Sequence, residues 1–255
     1  MSVNAFQVQQ LSQLLKLDLS AYHSQQLQRL VTAFMQRNGF GNLDELILAL
    51  RQKAELRQRL LDSLGINVTQ FFRDPKMWEI LAKEILPNLL RHFKSLRVWS
   101  AGCSIGKEPY SIAAVLHELD PDGKHSIIAT DIDETALQHA QRAEYWANDL
   151  NEIPSDYRPL FKIQNGSLVV PSSLKGMVRF QKLNLLSDPY PQDIHLLVCR
   201  NLLIYFRPEV KPPIFHGFAQ SLVEGGVLFL GASEVLLNPW SYGFKPLQFG
   251  FYLKT

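Results

Sequence analysis

The chain has 255 residues (29.1 kDa), of which 46% are hydrophobic and 20% are charged. This composition excludes a disordered chain or a collagen-like fibre and is sufficient for one or two domains with a buried core. The formal net charge of +2 argues against a nucleic-acid backbone as the main partner. Because no apolar run is long enough to span a bilayer and the N-terminal residues lack a secretory pattern, we expect a cytoplasmic protein without direct membrane insertion.

The first 66 residues have the pattern of an all-α domain. Apolar residues recur at three-to-four spacing from Phe6 to Leu64, and Asn-Gly and Gly-Asn pairs divide the region into short helices. Four basic residues near its end fit either a solvated helix face or a partner-docking patch, and both interpretations stay open. These residues are Arg51, Lys53, Arg57 and Arg59.

Beyond Pro87, short β-rich runs alternate with helical stretches. RVWSAG and SIIATD, each followed by a helical pattern, predict a βαβα unit and therefore a parallel sheet. The stretch SLVVPSSLKGMVRFQKLNL predicts two strands joined by a turn, a β-hairpin subdomain at about 160–183. HLLVCRN, GGVLFLGA and FGFYLKT predict further strands, with a helix from Pro208 to about Val223.

The richest candidate site is the loop between the first strand and the following helix, residues 101–110. Its glycines allow close approach of the backbone to a ligand, and the helix N-terminus offers free amides at the crevice beyond the strand ends. Glu108 stands at the start of this helix. Asp131 ends the next strand, where a carboxylate can accept hydrogen bonds from a ribose diol. Together the two acids suit an adenosine-containing ligand.

The same loop also fits two other motifs less well. Residues 102–106 satisfy the G-x-S-x-G pattern of a hydrolase with Ser104 as nucleophile, but only helices precede this first strand, so the strands that supply an oxyanion-hole loop are missing. A P-loop would need one more residue before Lys107 and a Ser or Thr in place of Glu108. Both alternatives are therefore disfavoured.

Metal chemistry and nucleic-acid modification have little support in the sequence. The seven histidines show no H-E-x-x-H spacing and the two cysteines form no C-x-x-C pair, so we expect no metal site. Residues 188–190 are similar to a shortened D-P-P-Y box of adenine methyltransferases that act on nucleic acids. The box lacks one proline and precedes a strand instead of ending it, which predicts a turn and no nucleic-acid partner.

Six motifs in sequence order carry a specific resemblance: NVTQFFRD from Asn67, SAGCSIGKEPYS, ATDID, LNLL, CRNLLIYF and GASE. They resemble the CheR-type, S-adenosylmethionine-dependent protein-glutamate O-methyltransferases of bacterial chemoreceptor signalling, over most of the chain. The resemblance implies an α/β fold: a doubly wound Rossmann-like methyltransferase sheet with a small antiparallel β-subdomain. An all-α N-terminal domain precedes it in the sequence. We expect the all-α, receptor-docking domain at 1–66, a linker segment with a connecting helix at 67–90, and the methyltransferase domain at 91–255.

The resemblance also implies the cofactor, S-adenosylmethionine, with S-adenosylhomocysteine as product. Arg73 and Tyr205 match the pair that the family places beside the transferred methyl group. Judged without the motifs, Arg73 would be assigned a surface ion pair with Asp74 or Glu79, and Tyr205 a place in an aromatic core. The cofactor contacts carry over to Asn67, Thr69, Arg73, Glu108, Asp131, Asn184, Leu185, Arg200 and Asn201.

The implied reaction transfers a methyl group to glutamate carboxylates in the cytoplasmic region of membrane chemoreceptors. A carboxylate is ionised at neutral pH, so the reaction needs no general base, which fits the absence of a catalytic triad. The alternative is a cofactor-binding sensor or docking module without efficient transfer, and retention of Arg73 and Tyr205 favours the enzyme. A monomer is the family default.

Several positions depart from the usual family pattern. Lys107 stands where a second acid is common, and GASE replaces the commoner GHSE, although neither change affects an implied cofactor contact. The helix predicted over Leu27–Arg37 is only lightly basic, which leaves the choice of receptor open. The turn around Gln164–Gly166 lacks a glycine-rich extension, so we expect no tethering to a receptor's C-terminal peptide.

Overall fold

The computed structural model describes residues 4–64 and 69–255. Contacts between Cα atoms divide the chain into two compact units. The helical unit comprises residues 1–67 with Ile204–Pro212, and the sheet unit comprises residues 68–203 with Pro213–Thr255. No helix in the described part of the chain is both long enough and apolar enough to cross a membrane. The boundaries predicted at residues 66 and 90 stay predictions.

The helical unit is built from four helices whose ends follow from local sequence. The Asn4 side chain accepts the N–H of Gln7 to cap the first helix, and Gly39 ends the second in the left-handed conformation at φ +75°. Their buried faces are mainly leucine, as the spacing predicted. The helices are α1 (Ala5–Leu15), α2 (Ser24–Asn38), α3 (Leu43–Gln52) and α4 (Ala54–Leu64).

The described residues after position 69 hold six further α-helices and ten strands. The helices are α5 (Pro75–Ile80), α6 (Leu86–His92), α7 (Lys107–Leu119), α8 (Glu134–Arg142), α9 (Ser172–Lys175) and α10 (Lys211–Ser221), with a π-helical turn joining α5 to α6. The strands are β1 (Arg97–Ala101), β2 (Ser126–Asp131), β3 (Glu144–Trp146), β4 (Lys162–Gln164), β5 (Ser167–Val169), β6 (Val178–Lys182), β7 (Ile194–Cys199), β8 (Leu222–Leu230), β9 (Phe244–Gln248) and β10 (Phe251–Lys254).

Seven strands form the main sheet in the order β6-β2-β1-β7-β8-β10-β9. The first five are parallel, and β10 runs antiparallel to both β8 and β9. Starting at β1, the sheet continues through β2 to β6 on one side, and through β7, β8 and β10 to β9 on the other. This arrangement confirms the predicted doubly wound fold, and its switch point, between β1 and β7, is where such sheets open a ligand crevice.

The strand pairing predicted at about 160–183 was wrong. SLV forms β5, which pairs antiparallel with β3 and β4 in a separate three-stranded sheet. VRFQK forms β6, which pairs in parallel with β2 in the main sheet. The short helix α9 connects the two sheets where a tight turn was expected. The small antiparallel sheet therefore exists, but its hairpin is β4–β5.

The segment after residue 68 packs as part of the sheet unit. Phe71, Phe72 and Trp78 are almost fully buried in the same hydrophobic cluster as Phe229 and Phe251. The rings of Phe72 and Trp78 are tilted relative to each other with a centroid distance of 5.1 Å, and those of Phe229 and Phe251 are stacked at 4.2 Å. The NVTQFFRD motif is thus fixed to the sheet by its aromatic residues.

Candidate functional site

The loop after β1 is held in a conformation that only small residues tolerate. Gly102 and Gly106 have φ of +78° and +88°, and Ser104 between them has φ of +48°. A Cβ atom on Gly102 would lie 2.6 Å from Leu202 Cδ2, and one on Gly106 would lie 2.8 Å from Ala140 Cβ. Glycine is therefore required at both positions for two reasons: φ is positive, and there is no room for a Cβ atom.

Asp131, at the end of β2, binds this loop. Its Oδ2 accepts the N–H of Ser104 at 2.7 Å, and its Oδ1 accepts the N–H of Asp133 at 2.9 Å. Burial raises the pKa of the Asp131 carboxyl, and the backbone hydrogen bonds oppose that rise. The carboxylate lies at the carboxyl edge of the sheet, where the sequence predicted it.

Glu108 lies in the first turn of α7 beside the end of β1. Ser100 Oγ donates to Glu108 Oε1 at 2.8 Å, and Arg200 Nη1 lies 3.7 Å from Glu108 Oε2. Burial raises the pKa of the Glu108 carboxyl, and the guanidinium of Arg200 counteracts this effect. The structure thus brings an acid from α7 and a base from the end of β7 together.

Arg200 connects the end of β7 to the motif that carries Arg73. Its Nη2 donates to the Arg73 carbonyl at 2.7 Å and to Asp74 Oδ2 at 2.8 Å, and its side chain is only 2% exposed. The guanidinium lies over the Phe229 and Trp78 rings, 4.9 Å and 5.7 Å from their centroids. Arg200 therefore fixes the backbone of Arg73 through its carbonyl oxygen.

Glu234, in the GASE motif after β8, was not among the predicted site residues. Its carboxylate is buried and accepts four backbone N–H groups, from Asn201, Leu202, Leu203 and Gly231, at 2.7–2.9 Å. Asn201 itself has φ of +58°. The sequence signal was an acid in the loop shortly after a strongly apolar strand. The carboxylate fixes the loop that follows Arg200.

The LNLL motif after β6 forms a closed turn. Asn184 Oδ1 accepts the N–H of Leu186 at 3.0 Å, and the N–H of Asn184 donates to Asp188 Oδ2 at 2.8 Å. The Tyr190 hydroxyl donates to the Leu185 carbonyl at 2.6 Å. The DPY residues thus form part of a turn, as predicted, and fix Asn184 and Leu185 beyond the strand next to Asp131.

Two of the predicted site residues fall outside the site as described. Asn67 lies outside the residues that the structure describes. Tyr205 lies in the segment grouped with the helical unit, where its carbonyl accepts the N–H of His23 at 3.0 Å. The half-buried Thr69 opens the described part of the NVTQFFRD motif. Among residues 4–64 and 69–255, no three His, Cys, Asp or Glu side chains gather as a metal site.

Comparison with known proteins identifies the family. The description "CheR methyltransferase, SAM binding domain" matches residues 67–247, and "CheR methyltransferase, all-alpha domain" matches residues 8–64. The chain belongs to the CheR methyltransferase family. This assignment confirms the resemblance drawn from the six motifs, and with it S-adenosylmethionine as the cofactor.

Relatives in this family have similar length and name. A chemotaxis protein methyltransferase of Listeria monocytogenes is 37% identical over 244 residues, which cover 94% of this chain and 93% of the relative. Chemotaxis protein methyltransferase 1 of Pseudomonas aeruginosa is 35% identical, covering 80% and 79%. One from Borreliella burgdorferi is 32% identical, covering 81% and 78%. Over most of its length this chain is thus similar to proteins named as chemotaxis protein methyltransferases.

The site fits the cofactor that the CheR family uses. Two partly buried carboxylates lie near the carboxyl ends of β1 and β2: Glu108 in the first turn of α7, and Asp131 at the end of β2, with Gly102 and Gly106 in the loop between β1 and α7. Carboxylates suit both the ribose hydroxyls and the cationic groups of S-adenosylmethionine. The geometry of this crevice therefore agrees with the family assignment.

Proposed function

We propose that this chain transfers a methyl group from S-adenosylmethionine to glutamate carboxylates in the cytoplasmic helical region of chemoreceptors. The products are a glutamate methyl ester and S-adenosylhomocysteine. One observation carries the proposal: the segment that bears Arg73 is fixed by Arg200 beside the partly buried acid Glu108, in a chain of the CheR family. This arrangement puts a cation next to an acidic cofactor site.

We assign cofactor binding to the residues of the carboxyl edge and the motifs around it. Asp131 is suited to the ribose hydroxyls, and Glu108 to a cationic group. The turn after β6 and the loop after β7 would form the walls. The proposed cofactor-binding residues are Asn67, Thr69, Arg73, Glu108, Asp131, Asn184, Leu185, Arg200 and Asn201.

The chemistry requires positioning more than acid–base catalysis. When bound, S-adenosylmethionine supplies a methyl group activated by its sulfonium. The substrate carboxylate is already ionised at neutral pH, so no side chain has to remove a proton. We propose that Arg73 holds a carboxylate of substrate or cofactor while the Tyr205 hydroxyl orients the nucleophile. Their contribution is alignment of the reacting atoms and exclusion of water.

The alternative, a sensor or docking module that binds cofactor without efficient transfer, has less support. The relatives that cover most of this chain are named as methyltransferases, and the site keeps Arg73, Glu108 and Asp131 on well-packed backbone. We therefore favour the enzyme.

The proposed partner is the cytoplasmic domain of membrane chemoreceptors, encountered by a cytoplasmic monomer. The β4–β5 hairpin turns through Asn165 and Gly166, both at positive φ, with no longer loop. This short turn supports recognition of the receptor without a C-terminal peptide tether.

Transfer of labelled methyl from S-adenosylmethionine to receptor-containing membranes of the source organism tests the proposal. We expect base-labile volatile counts, as carboxyl methyl esters give. Asp131→Ala should lower the counts at limiting cofactor at least about tenfold because it removes a charged acceptor. Asp156→Ala, at an exposed acid, should not. Binding of S-adenosylhomocysteine without any base-labile counts would favour the sensor instead.

A further inference from the structure

Lys107, the first residue of α7, carries a buried ammonium group that no role assigned so far uses. Its side chain is 7% exposed, and Nζ lies 3.0 Å from Asp149 Oδ2 and 3.0 Å from Glu152 Oε2. Both carboxylates belong to the 3-10 helical segment Ala147–Glu152, which follows β3 of the small sheet. One buried cation therefore holds this segment against the first turn of α7.

Glu152 extends the link to the motif that contains Arg73. The Oε2 atom that binds Lys107 also accepts the N–H of Phe71 at 2.9 Å. In parallel, the N–H of Phe72 donates to Ser111 Oγ at 3.2 Å, and the Ser111 hydroxyl donates to the Lys107 carbonyl at 2.8 Å. The two residues before Arg73 are thus both connected to the first turns of α7.

The residue after Arg73 is fixed independently. Asp74 binds Arg200 at 2.8 Å, and Arg200 also holds the Arg73 carbonyl. Arg73 therefore stands between two anchors, one that leads to Lys107 and one that leads to the end of β7. Loss of the Glu152 bond would remove the acceptor of the Phe71 N–H, and that side of Arg73 would then be held only by the Ser111 bond to Phe72 and by the buried rings of Phe71 and Phe72.

We propose that Lys107 is a positioning residue for methyl transfer, acting through Glu152 and Phe71 to place the segment that bears Arg73. The inference rests on the proposed function, because it takes Arg73 as the group beside the reacting methyl. Without the ammonium, Asp149 and Glu152 would be two partly buried like charges with no cation between them. Glu152 would turn toward water, and the N–H of Phe71 would lose its acceptor.

The first test compares three variants that remain folded at the assay temperature. We expect Lys107→Met to lower kcat about tenfold to a hundredfold, with a smaller change in the KM for the receptor, because misplaced groups slow the chemical step. Lys107→Met/Glu152→Gln should recover part of that loss, since an uncharged amide oxygen can stay and accept the Phe71 N–H. Phe215→Ala, a core change on α10, should lower stability and leave kcat unchanged.

A second pair keeps the inference testable if Lys107→Met does not fold. Glu152→Ala removes the acceptor of the Phe71 N–H and should lower kcat, whereas Glu152→Gln keeps an acceptor and should retain most of it. Equal kcat in this pair would overturn the inference. So would wild-type kcat in folded Lys107→Met, or a double variant no more active than the single one.

A readout that does not use activity separates this inference from the proposed function. Hydrogen exchange at the Phe71 amide should be faster in Lys107→Met than in wild type and close to wild type in Glu152→Gln. If the wild-type chain transfers no methyl to receptors, the proposed function fails while this comparison still decides whether Lys107 places the segment. Unchanged exchange in Lys107→Met would overturn the positioning role.

Discussion

At the scale of single residues, the site depends on buried carboxylates that bind backbone N–H groups. Asp131 binds the loop after β1 in this way, and Glu234 accepts three such bonds from the loop after β7 and a fourth from Gly231 after β8. A carboxylate offers only acceptors, so it can satisfy several donors at once without a conflicting donor of its own. A side chain of the same shape that also carries N–H donors, such as an amide, therefore cannot replace either acid.

Glu234→Gln should destabilise the chain by about 3 kcal/mol, because the amide NH2 would face backbone donors and leave some of them unsatisfied. Urea unfolding of the purified chain measures the change in the free energy of unfolding. The matched control is Glu84→Gln, at an exposed acid that accepts one bond from Gln248, which should change it by less than about 0.5 kcal/mol. Equal effects would contradict the role given to Glu234.

Glu108 should make cofactor binding depend on pH. Burial raises its pKa above the ordinary value of 4.5, so the site holds the neutral acid over a wider range than a free carboxyl would. The cationic groups of S-adenosylmethionine favour the ionised form, so affinity should fall as pH falls through this raised pKa. Calorimetric titration between about pH 8 and pH 5 measures this, and Glu108→Gln should flatten the profile. A wild-type profile as flat as that of the variant would refute this assignment.

At the scale of elements, hydrophobic periodicity predicted individual helices and strands correctly. It did not predict pairing between strands that are remote in sequence. The helices of the first unit and strands β1, β2, β7, β8 and β10 follow from apolar patterns and glycine positions. The β-hairpin was predicted wrongly because SLV and VRFQK are neighbours in sequence, whereas VRFQK pairs with β2, which is remote in sequence. Strands β3 and β9, with three and five residues, gave no separate signal.

The sequence also identified the acids of the site better than its ion pairs. Asp131 and Glu108 could be predicted because they end a strand and begin a helix. The partners of Lys107, in contrast, lie more than forty residues away in sequence in a segment without a motif, and no spacing rule links them. Arg200 and Asp74 are similarly remote from one another.

The opposite end of β1 contains a pH-sensitive contact. Arg97 donates its N–H to His195 Nδ1 at 2.9 Å, so this nitrogen must be unprotonated. Burial lowers the pKa of His195 below 6.5, and Asp193 opposes the shift. The unfolded chain therefore takes up the proton first, so this contribution to stability is complete above about pH 6.5 and decreases as pH falls toward the lower folded-state pKa.

His195→Gln provides the test of this contact, because an amide oxygen can accept the Arg97 N–H without titrating. The free energy of unfolding of the wild type should fall more steeply than that of the variant between pH 7 and pH 5. Urea unfolding at several pH values gives the comparison. Parallel curves for the two proteins would rule the contact out as a source of pH dependence.

At the scale of the whole molecule, the chain combines the two domains of the CheR family with a site whose residues are held by hydrogen bonds from several elements of the sheet unit. The family and cofactor follow from six short motifs and are confirmed by matches that span both domains. Receptor choice does not follow from them, because it depends on surface residues outside the motifs. The nearly balanced charge of the chain gives no general attraction to an acidic partner.

We propose that this chain esterifies receptor glutamates at a site that depends on Arg73. The most direct test of this proposal is mass spectrometry of a purified receptor cytoplasmic fragment after incubation with S-adenosylmethionine and either the wild-type chain or Arg73→Ala. We predict methyl esters on specific glutamates, removed by mild base, and at least about a hundredfold less ester with Arg73→Ala at equal folded concentration. Methyl groups on other side chains, or equal ester formation by Arg73→Ala, would contradict the account.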